Sequence, residues 1–359
     1  MNPPVTIRTL TDGGQTAIDV ATQIAAFLDE AKRTLELAQY DFELGPETAA
    51  IVGGAVRRAH DRGVHVRLVY NVDHRKPIPV PPPPSPDETL IRSLPVEAKA
   101  IAGVPDLMHH KYVVRDAEAV WTGSTNWTDD SWSRQENVVA IVESASVAAD
   151  FQLDFEQLFC TESVAESGRV EPRWRDGVRA WFTPQHGEDL SHRMAQAIAR
   201  ARRRVRVCSP VITSAPVLAV LARTVAAGRV DVAGCVDETQ VRGVAYQWGE
   251  EGKSWKLPLL ARIAKGAFSA KPSTPYGTGS LHDFMHAKVT VVDDSVFLGS
   301  FNLSRSGERN AENVLELEDA PLADRLTAFV DEVRARYPRL ELSARVITQP
   351  GAPVSPGSP

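Results

Sequence analysis

The strongest constraint on how this chain can fold is an internal repeat. The stretch MHHKYVVRDAEAVWTGSTNW, residues 108–127, returns as MHAKVTVVDDSVFLGSFN, residues 285–302. His109 and His286 therefore stand about half the chain length apart, the signature of a duplicated structural unit. The flanks repeat as well. A helical pattern of Ile18, Ala21, Ile24 and Leu28 runs into TLELAQYDFEL, and one of Leu190, Met194 and Ile198 runs into VRVCSPVITS. Amphipathic helix candidates follow in both halves and stop near Gly63 and Gly228, which suit a helix C-cap. The strands VHVRLVYN and VDVAGCVD come next. Each half thus reads βαβα, a loop, and then the repeated stretch. Such alternation predicts an α/β layered domain, present twice.

A chain of 359 residues with 43% hydrophobic residues has room and apolar material for two such cores. The expected division is a first domain over 1–163, a linker over 164–177, a second domain over 178–347 and a disordered tail over 348–359. The halves differ in their insertions. The first carries the proline run KPIPVPPPPSPDE at 76–88, read as a stiff extended loop, and the second a segment from Gln240 to Phe284 with Trp248, Trp255 and Tyr276.

The repeated stretch reads as two strands joined at an acidic turn. A turn centred between Ala117 and Glu118 places His109 opposite Asn126 and Lys111 opposite Ser124. A turn centred on Asp294 places His286 opposite Asn302 and Lys288 opposite Ser300. Side chains two apart share a strand face, so each hairpin offers one polar cluster at its open end. Asp116 and Asp293 sit about 20 Å from the histidines and are expected to start the turns. Glu136 and Glu312, each followed by Asn and a strand, are the better partners for histidine Nδ1.

These residue types point to phosphoryl chemistry. One imidazole attacks phosphorus and forms a phosphohistidine, and a second, protonated, donates to the leaving oxygen. Lysines and asparagines meet the charge on the equatorial oxygens, so the reading calls for no metal and no cofactor.

Both stretches fit H-x-K-x4-D followed by G-S-x-N, and here the chain resembles the phospholipase D superfamily. The resemblance covers almost the whole chain. It implies two duplicated phospholipase D-like α/β/α sandwich domains about a pseudo-twofold axis, with one site where the motifs meet. It also implies that His109 and His286 are the catalytic pair, that His109 is the nucleophile, and that Lys111, Asn126, Lys288 and Asn302 bind phosphate, with Ser124 and Ser300 beside them. The second copy departs only in having five residues between Asp293 and Gly299, where the first has six between Asp116 and Gly123. The first motif looks like the nuclease and mitochondrial cardiolipin-hydrolase branch, the second like cardiolipin synthases. The expected activity is hydrolysis or transfer of phospholipid head groups. A metal-independent nuclease with the same site is the alternative, and a phosphate-binding protein without turnover is a third reading.

A net charge of −6 argues against a protein coated in nucleic acid, without excluding a local basic groove. Cys160, Cys208 and Cys235 are scattered and odd in number, which suggests neither a disulfide framework nor a zinc site. No signal segment or membrane span is apparent, so a cytoplasmic protein with an optional peripheral membrane contact is expected, monomeric because both motifs share one chain. His110 is expected to be structural, His282 an ordinary loop residue and Trp121 core. Trp127 and Trp132 are open between core and a stacking wall. The arginine-rich run 200–206 is read as a helix end.

Overall fold

The computed structural model describes residues 5–73, 86–274 and 282–342. Most of the proline run, Tyr276 and the tail at 348–359 lie outside the described residues.

Two sheets of matching topology form the frame. The first has seven strands in the order Val5–Leu10, Asn137–Val142, Ala119–Gly123, Lys111–Arg115, Thr34–Gln39, His65–Val72 and Glu97–Ala102. The second has eight: Trp174–Arg175, Val178–Thr183, Glu312–Glu318, Ser295–Gly299, Val289–Val292, Arg204–Cys208, Asp231–Asp237 and Ala267–Lys271. Apart from the added Trp174–Arg175, which lies in the stretch read as a linker, every strand of one sheet has its counterpart in the other. In each sheet the last three strands are parallel to one another and the rest pair antiparallel.

Helices cover both faces of each sheet. Ala17–Asp29 and Pro46–Asp61 pack on the outer face of the first, Gly187–Arg200 and Ala215–Ala227 on that of the second. The helix Ala17–Asp29 opens with a capping box in which the Thr16 hydroxyl accepts from Asp19 N at 3.1 Å and the Asp19 carboxylate accepts from Thr16 N at 2.9 Å. Gly228 closes Ala215–Ala227 with φ +60, a conformation glycine adopts without strain. The inner faces bury the helices Ala145–Thr161 and Ala320–Arg336. Phe151, Phe155 and Leu158 from the first join Leu326, Phe329 and Val330 from the second in one cluster with residues of both sheets. The two halves therefore share a core. The inserted segment from Gln240 to Phe284 carries most of the helix Glu238–Glu250, the helix Leu257–Ala264 and the edge strand Ala267–Lys271.

Both hairpins are shifted by one residue from the expected register. Val113 pairs with Trp121 and Val289 with Leu298, so the turns centre on Ala117 and between Asp293 and Asp294. Asp116, Ala117 and Asp293 adopt positive φ, which fixes the turns earlier than composition suggested. The aspartates also do more than start a turn. The Asp116 carboxylate accepts from Lys32 N, Arg33 N and Thr34 N at 2.6–3.2 Å, and that of Asp293 from Arg202 N, Arg203 N and Arg204 N at 2.8–3.1 Å. Each ties the hairpin to the chain entering the central strand. The glycines before the serines are required by close packing. A Cβ on Gly123 would stand 2.2 Å from Val138 O, and one on Gly299 2.1 Å from Asn313 O.

Candidate active site

The open ends of the hairpins meet at the seam between the halves. His109 N donates to Ala311 O at 2.9 Å, and His286 N donates to Glu136 O at 3.2 Å. In both cases the next residue along the accepting strand faces the imidazole. For His109 that residue is Glu312, whose Oε2 lies 2.8 Å from Nδ1. For His286 it is Asn137, whose Oδ1 lies 3.2 Å from Nδ1. The two seams differ by one residue in register, and this slip gives one histidine a carboxylate and the other an amide.

Glu136 therefore does not orient His286 as expected. Its Oε2 pairs at 3.0 Å with Lys271, a lysine buried at the edge of the second sheet, and its Oε1 accepts from the Tyr337 hydroxyl. A buried ammonium offers a carboxylate more than an imidazole can, and Lys271 also reaches Asp12 at 3.1 Å.

Lys111 and Lys288 are both buried and close enough to act on each other electrostatically. Their ammonium groups donate to the carbonyls of His109 and His286 at 2.7 and 2.8 Å. Burial first, against the pull of Glu312 and Asp41, brings Lys111 down to about 7. Lys288 is held well below its ordinary value by burial and then by Lys111. Burial, followed by Lys288, Lys111, His109 and His282, holds His286 well below the usual imidazole range. Glu312 is pushed up to about 7 by burial, against Lys111, the Ser300 hydroxyl and Lys288. These mutual effects place both histidines, both lysines and Glu312 within one electrostatic field of low polarity.

Asn126 and Asn302 are buried or nearly so, and each has a side-chain oxygen with no hydrogen-bond partner among the described residues. The serines face elsewhere. Ser124 Oγ donates to Asn137 Oδ1 at 2.7 Å and accepts from Val138 N, while Ser300 Oγ accepts from Asn313 N at 3.0 Å. The register shift moves them off the lysine faces, so they fasten strand ends and position Asn137 and Glu312.

Two residues escaped the sequence reading. The Tyr40 ring lies 4.4 Å from the His109 ring and 4.5 Å from Lys111 Nζ. Asp41 follows it, almost fully buried, pushed up to about 8 by burial and then Glu43, against Lys111. Both stand just past the C-terminal end of the strand Thr34–Gln39, where sheets of this kind place their sites. That position was the available signal.

Among the other residues, His110 is fully buried at the seam, with Nε2 3.0 Å from Asp154 Oδ2 and Nδ1 3.1 Å from Asn313 Nδ2. Trp121, Trp127 and Trp132 all belong to the outer core of the first half. His282 stacks on Phe284 at 5.1 Å, and Phe284 lies 5.1 Å from the His286 ring. Three arginines of the run are paired locally: Arg203 meets Asp294, Arg204 meets Asp324, and Arg206 meets Asp231 and Asp331. Among the described residues no helix is long and apolar enough to cross a membrane.

Comparison with known proteins agrees with this geometry. Residues 24–159 and 194–334 each match the family model described as cardiolipin synthase, PLD-like domain. Mitochondrial cardiolipin hydrolase of dog is 26% identical over 157 residues, 44% of this chain and 56% of that protein. The human protein of that name is 28% identical over 129 residues, 36% of this chain and 46% of that protein. The chain thus spans about half the length of the curated relatives it matches. Phosphatidylserine synthase from Haemophilus influenzae superposes with a TM-score of 0.62 at 13% identity, covering 93% of this chain and 88% of that one. Polyphosphate kinase from Porphyromonas gingivalis gives 0.56 at 12% identity, covering 92% of this chain and 50% of that one. With both halves matched by the same family model and both motifs brought to one seam, the chain belongs to the phospholipase D-like domain family.

Proposed function

We propose that this protein is a phospholipase D-type phosphodiesterase that hydrolyses or transfers phospholipid head groups through a phosphohistidine on His109. The observation that carries the reading is the pair made across the seam by His109 and Glu312, set beside a second histidine that has only an amide partner. Glu312 accepting the Nδ1 proton leaves Nε2 of His109 as a lone pair aimed away from its support. That nitrogen forms the P–N bond while the P–O bond to the departing alcohol breaks. His286 gives its proton to the departing oxygen. It then takes a proton from water or an acceptor alcohol, whose oxygen attacks phosphorus and releases His109. Lys111, Lys288, Asn126 and Asn302 surround the phosphoryl oxygens. A phosphodiester anion would also offset the cations that depress His286, which favours its acid form when substrate is bound.

The two domains of the reading, over 1–163 and 178–347, each supply one histidine, so a monomer suffices. The proposed setting is the cytoplasm, with the protein reaching lipid from the membrane surface. Phospholipid is preferred to nucleic acid because three arginines of the 200–206 run, Arg203, Arg204 and Arg206, are already paired with aspartates, and because Glu43 feels the like charges of Asp87 and Asp130, a poor seat for a polyanion. The test is a panel of short-chain phosphatidylethanolamine, phosphatidylglycerol and phosphatidylcholine beside single- and double-stranded DNA and RNA. Release of head group from the lipids is expected; cleavage of nucleic acid alone would replace this reading with the nuclease.

A further inference from the structure

The short two-stranded sheet beside the site pairs Phe42 with Trp127 and Glu43 with Thr128 in parallel. The Phe42 and Trp127 rings meet edge to face at 5.2 Å within the outer core. Asp41 and Asn126 immediately precede the paired residues, and side chains alternate along extended chain, so with Glu43 they fall on the face opposite the two rings. Asp41 N-terminal to Phe42 thus stands level with Asn126, the residue placed at the phosphate, and Trp127 N donates to Asp41 O at 3.1 Å. Two acceptors on this face, Asp41 Oδ1 and Asn126 Oδ1, are buried and have no hydrogen-bond donor among the described residues. Buried acceptors left without donors are costly, and a native structure that keeps them calls for a functional explanation, such as a bound donor. The second half keeps the matching parallel bridge, Ile212 with Leu303, and an unpartnered Asn302 Oδ1, but it has no carboxyl there, since the positions matching Tyr40 and Asp41 hold Pro210 and Val211.

We infer that Asp41 and Glu43, beside Asn126, form a subsite for a positively charged amino group on the alcohol portion of the substrate. This deepens the phosphodiesterase reading and rests on it. The substrate class is a phosphodiester of an amino alcohol, with its phosphate between Lys111 and Lys288 and its ammonium group on the Asp41 side. An ammonium group supplies both the N–H donors that Asp41 Oδ1 and Asn126 Oδ1 lack and the charge that two neighbouring carboxyls call for. Asp41, held up at about 8 by burial and then Glu43, is the kind of carboxyl that an arriving cation returns to its ionised form. A free glycerol head group offers hydroxyl donors but no charge.

The test compares kcat/KM for dihexanoyl phosphatidylethanolamine and dihexanoyl phosphatidylglycerol, both as monomers, in the full chain and in Asp41→Asn and Glu43→Gln. Bis(p-nitrophenyl) phosphate, which has no amine, reports the chemistry alone. The wild type is expected to favour the ethanolamine ester by about tenfold or more, and each variant to bring that ratio toward one. A wild-type ratio at or below one, or a ratio that both variants leave unchanged, would overturn the subsite while the phosphodiesterase reading stands. Failure to cleave any of the three diesters would defeat that reading and the subsite with it. Should Asp41→Asn fail to fold, the more exposed Glu43→Gln decides the question.

Discussion

Replacing Glu312 by Gln separates what the carboxylate does for chemistry from what it does for the fold. Glu312 is fully buried, 2.8 Å from His109 Nδ1. Gln keeps the shape and one acceptor oxygen but loses the charge. A hydrogen bond to a charged group contributes about 1.5–3 kcal/mol, so loss of that support as His109 becomes cationic in transfer should lower kcat roughly 10- to 150-fold. An amide turned to donate toward Nδ1 would move the ring proton to Nε2 and deepen the loss. Stability should move the other way. The Glu312 pKa is raised from 4.5 to about 7, so its contribution is fully present below pH 4.5 and is lost as pH rises through about 7. Above that pH the ionised group costs on the order of 3 kcal/mol relative to a neutral one. Gln carries no such cost. Urea unfolding at pH 8 should therefore find Glu312→Gln at least as stable as the wild type, while turnover of a short-chain phosphatidylethanolamine falls. A variant that keeps wild-type kcat, or one that loses activity only because it unfolds, would refute this account of Glu312.

Three further outcomes follow from the same geometry. Asp293→Ala leaves three consecutive backbone N–H groups without their acceptor and should cost about 2–4 kcal/mol in urea unfolding at pH 7. Burial raises the Asp293 pKa, but those three N–H groups outweigh it and hold it below 3.8, so the wild-type advantage is present above pH 3.8 and should shrink as pH falls further. His286 must be protonated to act as an acid and sits below 6.5, so kcat/KM should decline on an alkaline limb that begins below pH 6.5, and Lys288→Met should move that limb upward by removing a like charge. An unmoved limb would assign it to another group. Because lysines and asparagines supply the field around phosphate in this mechanism, saturating EDTA should leave turnover of a monomeric short-chain lipid unchanged; loss in chelator with recovery on one divalent ion would contradict it.

The duplication was legible because catalysis repeats whole motifs, and the helix and strand pattern around them survives in each half. What escaped depended on single-residue geometry. The hairpin register turned on positive φ at Asp116, Ala117 and Asp293, which composition alone does not place. Glu136 and Glu312 occupy equivalent sequence positions, yet the seam slips by one residue, and Lys271 from an edge strand hidden in the second insertion captures Glu136. Tyr40 and Asp41 were visible only as the end of a strand. Their neighbours His109, Lys111 and Asn126 come from hairpin residues far along the chain.

The most direct test of the central claim is to locate the phosphoryl group on the protein. A nitrophenyl phosphodiester has a leaving group that needs little protonation, so it should phosphorylate both the wild type and His286→Ala on His109, and leave His109→Ala unlabelled. Rapid base quench followed by mass spectrometry reads the acid-labile phosphohistidine and its position. Label on His109 in both proteins is the predicted result. Label on His286 alone would reverse the roles given to the carboxylate-backed and amide-backed histidines, and turnover with no label on either would contradict the covalent route.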